Sequence, residues 1–166
     1  MYSKELFEKY PYAFSHYAWT GEVFYEDSTN EPYSLDEDIP KGWSKLFWMC
    51  MEEIREPLEK AGLTNTFYFT QVKEKYGELC LYNNGATEEV LDIISKYEYL
   101  SGFICDRCGK PFVDEFNGIV AWLDEGTAKE QAMESEWAEI GDKHYCPDCY
   151  EFDDELDEYI PKKKGD

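Results

Sequence analysis

Histidine is scarce in this sequence, and long apolar runs are missing. With only two histidines, His16 and His144, a Ser-His-Asp or Cys-His nucleophilic system has almost nothing to be built from, and no glycine-flanked serine elbow occurs. No GxGxxG, Walker A or HExxH segment is present, which removes the dinucleotide, P-loop and zincin readings. The zinc deaminase signature needs a His-x-Glu and a Pro directly before its cysteine pair, and Cys146-Pro147-Asp148-Cys149 has neither. No apolar run reaches about 18 residues, and Met1-Tyr2-Ser3-Lys4-Glu5 lacks the basic and apolar blocks of a signal peptide. The expectation is a soluble cytosolic protein without a membrane partner.

Basic side chains are also few: 16 Lys and Arg stand against 37 Asp and Glu, for a net charge of −21. The acidity is global, since residues 1–100 hold 9 basic and 19 acidic side chains and residues 101–166 hold 7 and 18. Direct binding to nucleic acid, which needs cations to displace counterions, is disfavoured on this average. The local exceptions are Lys73 and Lys75, and the terminal Lys162-Lys163-Lys164. Acidic pairs such as Glu88-Glu89 and the run Asp153-Asp154-Glu155 read as solvated faces, not as acid/base or Mg²⁺ groups.

What is abundant is aromatic surface. Of 166 residues, 43% are hydrophobic and 17% aromatic, enough for one domain, or a small domain with a metal-clipped appendage, and against wholesale disorder. Residues 2–40 concentrate aromatics broken by Pro11, Gly21, Pro32 and Pro40; a short helix and then loops packed over a neighbouring core are expected, with an exposed partner-binding surface as the alternative. Trp43, Leu46, Phe47, Cys50, Ile54 and Leu58 recur at three- and four-residue intervals and predict an amphipathic helix that Pro57 kinks or breaks and Gly62 stops. Cys50 on its apolar face reads as a buried inert thiol.

Asn65 to Tyr82 predicts a β-hairpin turning at Lys75-Tyr76-Gly77. Thr87 can then cap a helix whose inward residues are Val90, Ile93, Ile94, Tyr97 and Leu100 and which Gly102 closes. Further on, a strand is expected at Phe116–Leu123, a thinly striped helix within Ala128–Ile140, and a final acidic helix from Pro147 to Ile160. The predicted class is α+β: a small antiparallel hairpin or sheet packed with two or three helices, residues 1–100, followed by a zinc-binding subdomain, residues 101–160, and a flexible tail, residues 161–166.

That subdomain rests on cysteine spacing. Cys105-Asp106-Arg107-Cys108-Gly109 has the form of a zinc knuckle, in which two thiolates bend around one metal and the glycine permits a positive-φ turn. Cys146-Pro147-Asp148-Cys149 supplies the other pair, in a treble-clef-like or ribbon-like arrangement. Four soft thiolates favour one Zn²⁺, with iron the chemical runner-up, and leave no coordination position open for water or substrate. The site is therefore structural, and no catalytic residue is assigned. His144 is the one substitute ligand in reach; a strand histidine facing solvent or a carboxylate is the simpler reading. His16 has no visible catalytic partner.

Lys9-Tyr10-Pro11 with Phe14, Gly42-Trp43 with Leu46, and Thr70-Gln71-Val72-Lys73-Glu74-Lys75-Tyr76-Gly77 leading to Leu79 and Leu81-Tyr82, then a helix before Cys105-x-x-Cys108-Gly109, together resemble an uncharacterised group of small bacteriophage and prophage proteins. The likeness spans residues 8–150, and its most specific motif is the segment 70–77. The chain departs from the pattern at Glu78 and Cys80, where the group has Gly and Arg, so the hairpin loses a basic residue. The resemblance implies an origin without a mechanism. On the hairpin, Gln71, Lys73, Lys75 and Tyr76 form a candidate contact surface, against the plainer reading of an amphipathic hairpin with a tight turn.

The composite expectation is a non-catalytic, zinc-stabilised accessory protein that binds another protein with a basic surface, including a host nucleic-acid-binding or defence protein blocked by nucleic-acid mimicry. The rivals are a nucleic-acid-binding zinc module using Lys73 and Lys75, and a metal-dependent enzyme.

Overall fold

A computed structural model of the chain describes residues 3–110, 136–141 and 143–162. The elements in order are α1 (Lys4–Lys9), α2 (Ser44–Ala61), β1 (Phe69–Lys75), β2 (Glu78–Asn83), α3 (Glu88–Ser101), β3 (Ala138–Ile140), β4 (Lys143–Tyr145), β5 (Tyr150–Asp153) and β6 (Glu158–Pro161). The class is α+β, and the strands pair as three antiparallel hairpins, β1-β2, β3-β4 and β5-β6. Among the described residues no helix is long and apolar enough to cross a membrane.

Helix α2 is the spine of the core. Leu46, Phe47, Cys50, Met51, Ile54 and Leu58 are buried along one side of it, as a three- and four-residue apolar repeat requires. Gly62 ends it at φ 69°, with Gly62 N–H donating to Glu59 and Leu63 N–H to Leu58, a Schellman pair that only a left-handed residue can close. Pro57 does not break the helix: it lies buried near the end, where its ring contributes apolar area and a single backbone hydrogen bond is forfeited. The Cys50 thiol is fully buried, and burial pushes its pKa up. The Tyr10 hydroxyl, with Lys9, ties the N-terminal segment to Glu52 on α2 and holds that carboxyl down at about 2.

The hairpin lies beside α3, and the two share a polar seam. Val72, Leu79 and Leu81 are buried, while the open edge of β2 would leave two N–H groups without a partner. Helix α3 supplies both acceptors: Ser101 Oγ takes Leu79 N–H at 2.7 Å and Glu98 Oε1 takes Leu81 N–H at 2.6 Å. Thr87 caps α3 through Val90 N–H, and Val90, Ile94, Tyr97 and Leu100 are buried, with Ile93 partly so.

The N-terminal aromatics fold in an unusual way. Ser15 N–H donates to Tyr33, Tyr33 N–H to Phe24, and Phe24 N–H to Ser15, so three extended segments bond to one another in a closed ring. Tyr12, Ala13 and Phe14 are fully buried, with Tyr12 edge-on to Phe67. The packing of this segment over the core therefore holds for Tyr12, Ala13 and Phe14, while Tyr17, Trp19 and Tyr25 are exposed.

Two expectations fail in the C-terminal part. No helix follows Pro147: Pro147–Cys149 is a short 3-10 turn, and residues 150–161 form the β5-β6 hairpin. On a helix, Glu151, Asp154, Glu155 and Glu158 would crowd like charges three and four positions apart. In the hairpin the Asp153 carboxylate instead accepts Glu155 and Leu156 N–H to make the turn, and Tyr159 stacks edge-on with Tyr150 and Phe152. Within Ala128–Ile140, residues 138–140 are strand, not helix; the rest, and the strand expected at Phe116–Leu123, lie outside the described residues. Pro161 and Lys162 also belong to the fold and not to a tail, Lys162 N–H reaching the Cys149 carbonyl at 3.1 Å.

Burial raises the Glu98 carboxyl above its ordinary value, Glu78 adds to the rise, and the bond from Leu81 opposes it. A raised folded-state acid binds its proton more tightly than the unfolded chain does, so its contribution falls as pH climbs from the ordinary carboxylate range through the folded value. Glu98→Gln, which keeps the acceptor and drops the charge, should leave neutral-pH stability equal or higher and flatten that pH dependence. Glu98→Leu, which orphans Leu81 N–H, should cost about 1–3 kcal/mol. Urea denaturation at several pH values measures both.

Candidate metal centre

The first cysteine pair is delivered by the end of α3. Phe103 N–H and Ile104 N–H donate back to Leu100 and Ser101, winding the chain tightly into Cys105. The loop then closes on itself: Gly109 N–H donates to the Cys105 carbonyl and Cys105 N–H to the Lys110 carbonyl, each at 2.9 Å. Gly109 sits at φ 75°, the turn geometry expected of a residue following the pair. The second pair follows the β3-β4 hairpin, where Cys149 N–H donates to the Cys146 carbonyl at 2.8 Å and Pro147 starts the 3-10 turn.

These two turns converge. The sulfurs of Cys105, Cys108, Cys146 and Cys149 all lie within 4.8 Å of one another, and Cys108 and Cys146 are 3.5 Å apart. A zinc ion at a Zn–S distance of about 2.3 Å holds its sulfurs at tetrahedral edges of about 3.8 Å, so the cluster has the right size. The separation is far beyond a disulfide bond of about 2.05 Å. Cys105 and Cys146 are buried, Cys149 is half-buried and Cys108 is exposed.

Three of the four thiols are shifted from the ordinary thiol range. Burial pushes Cys146 up to about 11, with Cys108 and the charge of Cys105 adding to it, and Cys149 rises for the same reasons. Burial acts on Cys108 too, but the Lys110 N–H and the neighbouring thiols outweigh it and bring that sulfur below the ordinary thiol range. A metal ion bound among thiols draws them into the thiolate form.

The loop is seated on the core by backbone contact. Gly42, just before α2, donates its N–H to the Asp106 carbonyl at 2.8 Å, and Trp43 Nε1 donates to the Ile104 carbonyl at 2.9 Å. A Cβ on Gly42 would fall 2.2 Å from the Cys105 carbonyl oxygen, and one on Gly109 would fall 2.7 Å from the Gly42 carbonyl oxygen. Two glycines thus face each other where no side chain fits. Around them Phe103, Trp137, Cys105 and Cys146 form a small apolar cluster separate from the main core.

Charge on the flank is arranged in pairs. Lys143 reaches Asp106 Oδ2 at 3.2 Å and Glu74 Oε2 at 3.4 Å, and Glu74 in turn accepts Gly77 N–H from the hairpin turn. The chain Asp106, Lys143, Glu74 therefore ties the metal loop, β4 and the β1-β2 turn together. Asp106 Oδ1 is buried without a hydrogen-bond partner among the described residues, while Oδ2 of the same carboxylate faces Lys143. Arg107 donates to the Cys149 carbonyl at 3.3 Å and lies over the Tyr145 ring.

All four cysteines assigned from spacing are brought together. The second pair opens a hairpin and not the helix of a treble clef. His144 lies on β4 opposite Glu139; its side chain is outside the described set. On the β1-β2 hairpin, Lys73 donates to Gln71 at 2.7 Å and lies over the Tyr82 ring, while Lys75 lies over the exposed Tyr76. Both lysines are thus engaged within the hairpin. Asp106 and Lys143 were not foreseen: one is an unremarked position inside Cys-x-x-Cys, the other a single lysine in an acidic stretch.

Purified protein should carry one Zn²⁺ per chain by elemental analysis, and Cys146→Ser should lose it along with the order of the β3–β6 region. Gly42→Ala, far from the ligands in sequence, should weaken zinc retention against a chromophoric chelator and destabilise the fold by at least about 3 kcal/mol, because backbone on both sides cannot yield. No family model, curated protein or solved structure matches the chain.

Proposed function

We propose that the chain is a non-catalytic, zinc-stabilised acidic protein of phage or prophage type that binds another protein through that protein's basic, nucleic-acid-binding surface. The supporting observation is how the acidity is mounted. Glu151, Asp154, Glu155, Asp157 and Glu158 are all exposed on the β5-β6 hairpin, and none makes an ion pair among the described residues. That hairpin starts at the residue after Cys149 and is tied back to it by Lys162. A metal staple thus holds a dense row of carboxylates on a fixed backbone. Duplex DNA offers a basic groove one negative charge per about 1.7 Å of axis, and fixed carboxylates compete for the same groove without the entropy cost of ordering a tail.

A saturated four-thiolate centre gives the metal no open position for chemistry, which supports a binding role over a metalloenzyme. The engaged state of Lys73 and Lys75 supports it over direct nucleic-acid binding. The test is competition: host proteins captured on the immobilised protein are identified by mass spectrometry, purified, and bound to labelled duplex DNA. Adding the protein should displace the duplex, with the effect falling as salt rises. A chain that itself shifts the duplex at moderate salt, or captured proteins that keep their DNA, would refute the mimicry reading.

A further inference from the structure

Trp19 is 99% exposed. Tryptophan is the costliest side chain to leave in water and the one most enriched where protein partners dock. A disordered tip could carry it by accident, but this turn is held from several sides. Gly21 N–H and Thr20 N–H donate to the Tyr17 carbonyl at 2.8 and 3.2 Å, Tyr17 N–H donates to Glu22 at 2.8 Å, and the Tyr68 hydroxyl donates to the Ala18 carbonyl at 3.2 Å. Gly21 takes φ 71° against the Tyr68 ring, where a Cβ would fall 3.2 Å from Cε1. His16 stacks on the same ring, its centroid 5.1 Å from that of Tyr68. The indole is therefore presented on a preorganised turn, which lowers the ordering cost of binding.

Its surroundings define what it can meet. Tyr17 and Tyr25 are about half exposed nearby in the chain, at 51% and 45%. The same turn contributes Gly21 and Glu22 to the wall of an open pocket of about 650 Å³ whose apolar lining includes Phe7, Pro11, Val23 and Phe67 and whose carboxylates are Glu8 and Glu22. From Tyr10 to Pro40 the sequence has seven carboxylates and no lysine or arginine. Nucleic-acid bases stack on aromatics only where cations hold the phosphates; this segment supplies none, and the cation beside the pocket, Lys4, is paired with Glu8 at 3.7 Å. A second copy of the chain would bring the same acidic segment against this one. What fits is apolar at its centre and cationic at its rim.

We infer that Trp19, with Tyr17, Tyr25 and the adjoining pocket, is the docking surface for a cationic amphipathic segment of another protein. Its apolar side covers the indole and fills the pocket, and its Lys and Arg side chains meet Glu8, Glu22 and Glu26. The inference rests on the reading of the protein as a binder of basic protein surfaces and assigns that binding an aromatic anchor.

The probe is a synthetic cationic amphipathic helical peptide with a leucine stripe, and its counterpart with glutamates in place of the cations, titrated by fluorescence anisotropy against the full zinc-loaded chain. The cationic peptide should bind and the acidic one should not, and Trp19→Ala should weaken binding about 30-fold, the loss expected for a tryptophan anchor. Trp19→Phe should lose less, and Leu91→Ala, exposed on α3, should change nothing. Since Trp19 packs on nothing, the variant should fold as the parent does. Binding that survives Trp19→Ala but falls with Leu156→Ala, on the β5-β6 hairpin, would overturn this surface and leave the basic-partner reading standing. No binding of the cationic peptide would overturn both. Sedimentation showing a dimer that Trp19→Ala dissolves would assign the surface to a second copy and overturn the cationic partner.

Discussion

The contact between Gly42 and the Cys105–Asp106 backbone is the constraint on which the two parts of the molecule depend. The loop that carries Cys105 and Cys108 is small and has little apolar surface with which to adhere to a core. Here it adheres by main chain: Gly42 N–H to Asp106, Trp43 Nε1 to Ile104, and Gly109 against the Gly42 carbonyl. Each bond is modest, but each also satisfies a buried group that would otherwise be orphaned. Because the loop is fixed to the start of α2, the position of one cysteine pair is set by the core, and the second pair must come to it. Structural zinc is worth roughly 10–16 kcal/mol in small finger peptides, so the ion can organise the β3–β6 hairpins, whose own apolar cluster is small.

That arrangement carries an electrostatic cost. In a chain of net charge −21, four thiolates around one divalent cation would add a local excess of about two negative charges. Part of the offset is local. Lys143 is shared between Asp106 and Glu74, Lys110 lies 3.7 Å from Asp148, and Arg107 reaches the Cys149 carbonyl. Arg107, Lys110 and Lys143 thus lie beside the cysteine cluster, and Glu151, Asp154, Glu155, Asp157 and Glu158 are left facing solvent. The acidity of the outer surface and the stability of the metal loop draw on the same scarce lysines.

The hairpin and α3 show the same economy with hydrogen bonds. An open strand edge invites pairing with another chain, and β2 avoids this because Ser101 and Glu98 reach across from the helix to accept its N–H groups. The N-terminal segment solves its own problem without regular strands, through the ring of bonds among Ser15, Phe24 and Tyr33. Its prolines and glycine prevent a continuous ladder, so the backbone groups close on one another in single bridges and leave the turn at Trp19 projecting.

Several features were set by local sequence alone: the apolar repeat of α2 and its glycine stop, the Thr87 cap of α3, the hairpin around Tyr76-Gly77, and the ligand identity of Cys105, Cys108, Cys146 and Cys149. Each depends on side-chain periodicity, a φ requirement or soft-ligand chemistry, which near neighbours in the chain suffice to express. The tertiary structure decided the rest. It alone placed Gly42 against the metal loop, paired Asp106 with Lys143, kept α2 whole through Pro57, and turned the acidic stretch after Cys149 into a hairpin. These outcomes depend on contacts between residues tens of positions apart, and on burial and charge crowding, which no local pattern of residues encodes.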